Sequence, residues 1–561
     1  MIFKIFEIQI IQTAFMKNIF FLTFFTLFTL PLSSQEKGLD QRIDEAFKPF
    51  SDFFSETVFF PIGDYPFVIY LLVGSAAFFT LYFLFPNIRY FGTAINVVRG
   101  KYDDLEKSDS KDGEVSHFQA LATAVSGTVG NGNIAGVALA IALGGPGATF
   151  WMIVCGLIGM STKFVECTLG VYYRDVDENG VVYGGPMYYL SKGLKERGFK
   201  TLGKITAVIF AICCIGGSFG GGNAAQSNQA AEVVENLFNV ESSTYSGAVI
   251  GLIMAIIVGL IIIGGIKRIA SVTEKVVPFM ALLYLIACIY ILAINYDFID
   301  DALKLIVSEA FDPKAIGVGG IIGVLMVGFK RAAFSNEAGA GSASIAHSAV
   351  KTKYAASEGL VALLEPFIDT VVICTMTALV IITFNNSDIN NQQFTFGDMT
   401  KFTEGIEYKD INSDGEKEYV MEIQKSTGIK EYETVKGKVL IDGKLEEGAG
   451  ITQKAFAKYI PFSEIFLTIA VFLFAISTMI SWSYYGLQSW KYLFGRGQVA
   501  DMTYKILFLV FVIIGAAASM DSIWAFSDAM IFAMVFPNMV GLYFLFPVVK
   551  EQLTKYLDAI K

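Results

Sequence analysis

Histidine is nearly missing from this chain. Only His117 and His347 occur in 561 residues, which argues against a histidine-built zinc site. Cysteine is sparse and unpatterned. Cys155, Cys167, Cys213, Cys214, Cys288 and Cys374 all fall in apolar segments, where a thiol behaves as a small hydrophobe, so neither a disulfide framework nor a metal site is expected. Charge is scarce too, at 17% of residues against 54% hydrophobic, with a mean hydropathy of +0.55. That balance excludes an ordinary soluble core. The net charge of −10 gives no support to a nucleic-acid partner. An intramembrane enzyme would need a nucleophile or metal set inside its apolar segments, and no such set occurs, so no catalytic role is expected.

What the chain has in abundance is apolar length. Long segments almost free of charge recur, the signature of an all-α polytopic protein in a lipid bilayer. Eleven spans are expected, roughly at 65–85, 118–143, 147–172, 203–225, 246–265, 276–294, 316–345, 360–384, 462–490, 503–519 and 524–547, with ends uncertain by a few residues. Basic residues collect in alternate loops. One side holds Arg89, Arg99 and Lys101; then Arg174, Lys192 and Lys195; then Lys267 and Arg268; then Lys491 and Arg496. The short connections on the other side, at 144–147, 226–245 and 520–523, have no lysine or arginine. The positive-inside rule then places the C-terminus in the cytoplasm and the N-terminus outside. The localisation expected is a bacterial-type plasma membrane.

The N-terminus has its own logic. Residues 16–34 combine Lys17, an apolar run and a small-residue end, the form of a signal peptide, with Met16 a candidate start. A retained anchor helix is the alternative. The expected division is a signal peptide at 1–34, an exported polar segment at 35–63, the first span and core helices at 64–384, an exterior polar insertion at 385–460, and the remaining helices with a cytoplasmic tail at 461–561. Within the insertion, Glu418-Tyr-Val-Met-Glu-Ile423 alternates in the manner of a strand. Asp410-Ile-Asn-Ser-Asp-Gly415 resembles the start of a calcium loop, but Met421 stands where a bidentate Glu is needed. An Asp-Gly hairpin turn is the better reading.

Ser126-Gly-Thr-Val-Gly-Asn-Gly-Asn-Ile-Ala-Gly136 breaks the apolar pattern of its span. Four glycines weaken the helix at membrane depth, each by about 1 kcal/mol relative to alanine. A spanning backbone must satisfy its own polar groups unless it lines a cavity. A helix-packing face of small residues would account for the glycines alone. Asn131 and Asn133, one residue apart, favour a binding site. A second polar break, Lys330-Arg-Ala-Ala-Phe-Ser-Asn-Glu-Ala-Gly-Ala-Gly-Ser342, falls five spans later. Two interrupted helices in corresponding halves are the mark of an inverted-repeat transporter. Ionisable groups inside a span are costly and usually functional. Glu337 is therefore expected either as a ligand contact or paired with Arg331, and Asp369 in a structural or gating role. Lys163 and Glu166, three apart on one helix, are expected to pair with each other.

These motifs resemble the alanine or glycine:cation symporters, the sodium:alanine symporter family. The likeness is carried by the first broken stretch with Gly144-Gly-Pro-Gly-Ala-Thr-Phe-Trp-Met152, by Gly184-Gly-Pro-Met-Tyr-Tyr189, by Phe334-Ser-Asn-Glu-Ala-Gly339, by Phe367-Ile-Asp-Thr-Val-Val-Ile-Cys374 and by Trp482-Ser-Tyr-Tyr-Gly486. It extends from about residue 65 to the C-terminus, the exterior insertion being a departure. It implies a LeuT-type fold of five plus five inverted helices with one extra N-terminal span, a fold whose binding sites are built at broken helices. It also implies sodium-coupled uptake of alanine or glycine by alternating access, a proton being a further candidate ion. A small neutral amino acid is the expected partner. Its contacts would be Thr128, Gly130, Asn131, Gly132, Asn133, Gln226, Phe334, Ser335, Asn336, Thr478 and Trp482. Phe334, Thr478 and Trp482 would close the pocket around a methyl-sized side chain. Sodium would lie at Thr128, Gly132, Ser477 and Thr478, and Arg331, Glu337 and Asp369 would be the gating or structural ionic residues. An ion channel with a glycine-rich filter is the rival expectation.

Overall fold

The structure, a computed structural model, describes residues 39–63, 65–106, 113–238, 240, 244–311, 320–386, 406–409, 418–424, 430–434, 437–441, 444–517 and 520–561. The signal-peptide segment and the Asp410–Gly415 turn lie outside them. Among the described residues, eight helices are long and apolar enough to cross a membrane, or nine when one bent pair is taken as a single span. Their outward faces are apolar: Leu252, Ile256 and Leu260 on Thr244–Ile262, and Leu282, Ile286 and Ile289 on Gly265–Ile294, are all exposed. Such faces suit lipid rather than water.

The bent pair is the glycine-rich stretch. Helix α1 (His117–Thr128) opens with a reciprocal Ser116–Gln119 cap and stops after Thr128. A single tight turn follows at Asn131–Asn133, and α2 (Ala135–Gly144) leaves at 59° to α1. Every residue from Ala120 to Ala138 is buried. Helix α3 (Gly147–Tyr172) packs behind the break. The long helix α4 (Lys200–Phe238) is widened over Gly220–Ala224. A wide turn of this kind adds a residue to the ring and often marks a functional site. Here it flattens one wall: a Cβ on Gly222 would lie 2.1 Å from the ring of Trp482.

The second break also forms. Helix α5 (Gly320–Asn336) ends at Glu337, whose φ is +54°. Gly339 and Gly341 follow with φ of +97° and +86°, and α6 (Ala343–His347) resumes. Helix α7 (Ala355–Phe384) widens over Phe367–Cys374. Helices α8 (Ser463–Phe494), α9 (Gln498–Ala517) and α10 (Met520–Ala559) complete the bundle.

Between α7 and α8, strands β1 (Ile406–Lys409), β2 (Glu418–Gln424) and β3 (Lys430–Thr434) form an antiparallel sheet in chain order. A small hairpin, Val439–Ile441 with Lys444–Glu446, leads into the helix Gly448–Ala457. That helix is buried, and the Thr452 hydroxyl donates to the Ile134 carbonyl at 3.1 Å, beside the first break. The N-terminal helix Leu39–Val58 packs on α10, with Phe50 and Phe54 against Phe526.

Candidate functional site

A small cavity of about 10 Å³, room for about one water molecule, lies between the two breaks. One side is Gly127, Thr128 and Gly132 of the first break, faced by Phe334, Ser335 and Glu337 of the second. Gly221 and Gln226 come from the widened part of α4, and Thr478 and Trp482 from α8. Ile531 of α10 completes the lining. Helical breaks put backbone and short polar side chains at this depth, which a continuous helix would not allow.

Seven of the expected substrate residues therefore line the cavity: Thr128, Gly132, Gln226, Phe334, Ser335, Thr478 and Trp482. The others support it. Asn133 accepts from the Gly130 N–H at 2.8 Å and donates to the Asp369 carboxylate at 2.7 Å. The Asn131 N–H donates to Gln226 Oε1 at 3.1 Å, and its side-chain amide donates to the Gln226 carbonyl at 3.2 Å. Asn336 donates to Thr370 at 3.0 Å. Two backbone amides of the break, those of Gly130 and Asn131, are thus already occupied within its own frame. Gly130 is pressed so close to α8 that a Cβ there would sit 2.5 Å from Thr478 Oγ1.

The hydroxyls expected as cation ligands differ in their surroundings. Thr478 Oγ1 is buried and has no hydrogen-bond partner among the described residues. Thr128 Oγ1 makes only long bonds of 3.4 Å to its own helix. Buried hydroxyls normally find partners, so these two oxygens fit a hard cation. Ser477 differs. Its hydroxyl donates to the Phe474 carbonyl at 2.9 Å and also contacts the Met280 sulfur, while its own carbonyl accepts from Ser126 at 2.7 Å. Ser477 fastens α8 to its neighbours and does not line the cavity.

The ionisable residues bring corrections. Arg331 pairs with Asp528 at 2.9 Å, not with Glu337. Lys330 shares that carboxylate at 3.0 Å, and its ammonium sits 4.4 Å from the Phe59 ring centroid. Glu337 instead lines the cavity, accepting from Trp482 Nε1 at 3.0 Å and from the Ser342 hydroxyl. Lys163 goes to Glu365 at 2.9 Å, and Glu166 accepts from Asn538 at 2.6 Å, so the expected pairing within α3 does not form. Asp369 bridges the breaks, taking Asn133 from the first and Ser335, at 3.0 Å, from the second. Glu365 and Asp528 were each visible in the sequence as acids inside apolar spans, and Glu358 as one two residues before such a span. Gly221 stands in a run of three glycines. Ile531 carried no signal.

The model of the sodium:alanine symporter family matches residues 51–407 and 433–561. The sodium/alanine symporter AgcS of Methanococcus maripaludis is 37% identical over 88% of this chain and 95% of its own length. The sodium/proton-dependent alanine carrier protein of Bacillus sp. strain PS3 is 31% identical, with 81% of this chain and 90% of that protein covered. The solved structure of MhsT in complex with L-phenylalanine overlays with a TM-score of 0.46 at 13% identity, covering 79% of this chain and 99% of that one. On the extent of the family match and the identity to its relatives, this chain belongs to the sodium:alanine symporter family.

Proposed function

We infer that the protein is a sodium-coupled secondary transporter that imports alanine or glycine by alternating access. The observation that carries this reading is the cavity held between two helix breaks and walled by Trp482 and Phe334. In the proposed arrangement, Thr128, Gly132, Gln226, Ser335 and Thr478 contact the amino acid's polar groups. Phe334 and Trp482 limit its side chain to about a methyl. Trp482 suits that role because its indole N–H is held by Glu337 and its side chain presses against Gly222, where even a Cβ would not fit. Sodium lies at Thr128, Thr478 and the Gly132 backbone, oxygen donors being what a hard cation requires. Asn133 and Asp369 position the break, and Arg331 with Asp528 forms an ionic gate.

The proposed fold is LeuT-type, five plus five inverted helices after one extra span. Adding Phe67–Tyr82 and the broken α5–α6 to the nine apolar spans gives eleven. The proposed orientation puts the N-terminus and the 385–460 insertion outside and the C-terminus in the cytoplasm, in a plasma membrane. The driving force is then the sodium gradient and membrane potential, about 2.3 kcal/mol per charge per 100 mV. Uptake of labelled alanine into proteoliposomes, with and without an inward sodium gradient, tests the coupling. Accumulation indifferent to sodium would refute it. Competition by a panel of small amino acids then ranks alanine against glycine.

A further inference from the structure

The two histidines meet at one carboxylate. His117 is the first residue of α1 and His347 the last of α6, so each ends one of the two broken helices. Glu358 of α7 is fully buried between them. One of its oxygens contacts His117 Nδ1, and the other contacts His347 Nδ1 at 2.5 Å. The far nitrogen of each ring faces a second carboxylate: Glu106 lies 2.7 Å from His117 Nε2, and Glu365 lies 3.6 Å from His347 Nε2. Backbone bonds close the same junction, with the Glu114 N–H on the Ala349 carbonyl at 2.7 Å and the Lys351 N–H on the Val115 carbonyl at 2.8 Å.

His117 has carboxylate oxygens at hydrogen-bond distance from both nitrogens, whereas His347 has one at Nδ1 and the Glu365 carboxylate 3.6 Å from Nε2, beyond hydrogen-bond reach. A carboxylate can only accept, so both nitrogens of His117 are satisfied only as donors, which requires the imidazolium. At His347 a lone pair on Nε2 would face the Glu365 carboxylate, which favours a proton there too. Charge counting agrees. Glu106, Glu358 and Glu365 bring three negative charges, and Lys163, on Glu365 at 2.9 Å, brings one positive charge. Two imidazolium rings balance the set. Buried charge without balance is strongly unfavourable. The contacts of 2.5 and 2.7 Å are hydrogen-bond distances, too short for an ion between the atoms. Other polar groups facing the cluster are Tyr556, Thr352 and Ser357, all donating to Glu106. Arg174 donates to the Ser348 and Val350 carbonyls. Glu166 and Cys167 of α3 and Tyr485 of α8 lie within electrostatic reach.

We propose that His117–Glu358–His347 is a proton-binding clasp that joins the ends of the two broken helices. With both rings charged, Glu358 holds α1 and α6 together. As pH rises and a ring loses its proton, a carboxylate is left facing a lone pair, and the junction loosens. The clasp does not depend on which amino acid is carried.

Because the chain has only two histidines, ¹⁵N-histidine labelling of the full-length protein reads both rings, with His117→Gln and His347→Gln supplying the assignment. Both rings should give imidazolium shifts at pH 8, where a free imidazole of pKa about 6.5 is almost wholly neutral. A neutral ring at pH 8 overturns the proposal. In hydrogen exchange, Glu358→Gln should raise the rates of segments 114–121 and 343–352 together by about tenfold, while 250–260 is unchanged. Unchanged rates at the two segments also overturn it. Should that variant fail to fold, the wild type serves: after correction for intrinsic rates, both segments should lose protection together between pH 8 and 11, and constant protection refutes the clasp.

Discussion

The two helix breaks solve one problem with different chemistry. At the first, neutral amides do the work: Asn133 satisfies the Gly130 N–H, and Gln226 satisfies that of Asn131. At the second, the chain turns through left-handed backbone at Glu337, Gly339 and Gly341, and a carboxylate takes the donors Trp482 and Ser342. A non-glycine residue in that region costs of order 1–3 kcal/mol and persists where its surroundings impose it. The neutral break keeps buried backbone satisfied without charge. The charged one fixes the cavity wall through Trp482. Asp369 ties them, since it receives a side chain from each.

The sharpest way to break this contrast is at the glycines. Gly341→Val puts a branched side chain at φ +86°, with its Cβ 2.8 Å from Pro186 and 3.0 Å from Asn538. Left-handed strain of about 1–2 kcal/mol and overpacking of about 1–3 kcal/mol should add. Loss of folded protein in a thermal-shift assay is expected. Asn133→Ala should come next. It strips a donor from the buried Asp369 and an acceptor from the Gly130 N–H, a cost of about 2–4 kcal/mol. A fall in Tm and loss of alanine uptake should appear together, whereas full stability would mean that the break does not rely on this amide.

Glu337→Gln separates the two breaks more finely. The amide can still accept from Trp482 and meet Ser342, so stability should change by less than about 1 kcal/mol. Uptake should nonetheless weaken, with KM rising about tenfold, because the cavity loses its carboxylate. A reference outside both breaks is the ionic contact of Asp175 with Lys192 and Arg496. Partial burial raises the Asp175 pKa, but the two cations outweigh it and hold the carboxyl below its ordinary value. Its contribution is therefore present above the unfolded pKa and lost as pH falls through the folded one. As the pair is about two-fifths exposed, Asp175→Asn should cost at most about 1 kcal/mol, less in high salt, as chemical unfolding would show.

Much of this was readable from the residues. Polar residues set among glycines inside an apolar span favour backbone that has left the helix over a helix-packing face, and both breaks lie where that pattern occurs. The partners of the charged residues were not readable. Lys163 finds Glu365 and Arg331 finds Asp528, each about two hundred positions away, while the local expectation favoured neighbours on one helix. Helical spacing puts Glu166 within reach of Lys163, yet both side chains are buried and turn to different helices. Ser477 resembles a ligand by composition. Its rotamer, which periodicity cannot foretell, spends the hydroxyl on its own helix.

The Thr452 hydroxyl reaches the Ile134 carbonyl from a loop that looks, by length and polarity, like a removable ornament. Engineering a minimal version of this carrier would naturally begin by trimming residues 385–460. Cutting back to the strands leaves that carbonyl with its cap, but cutting through Gly448–Ala457 strips it. Truncations on either side of residue 447 should therefore give two different proteins.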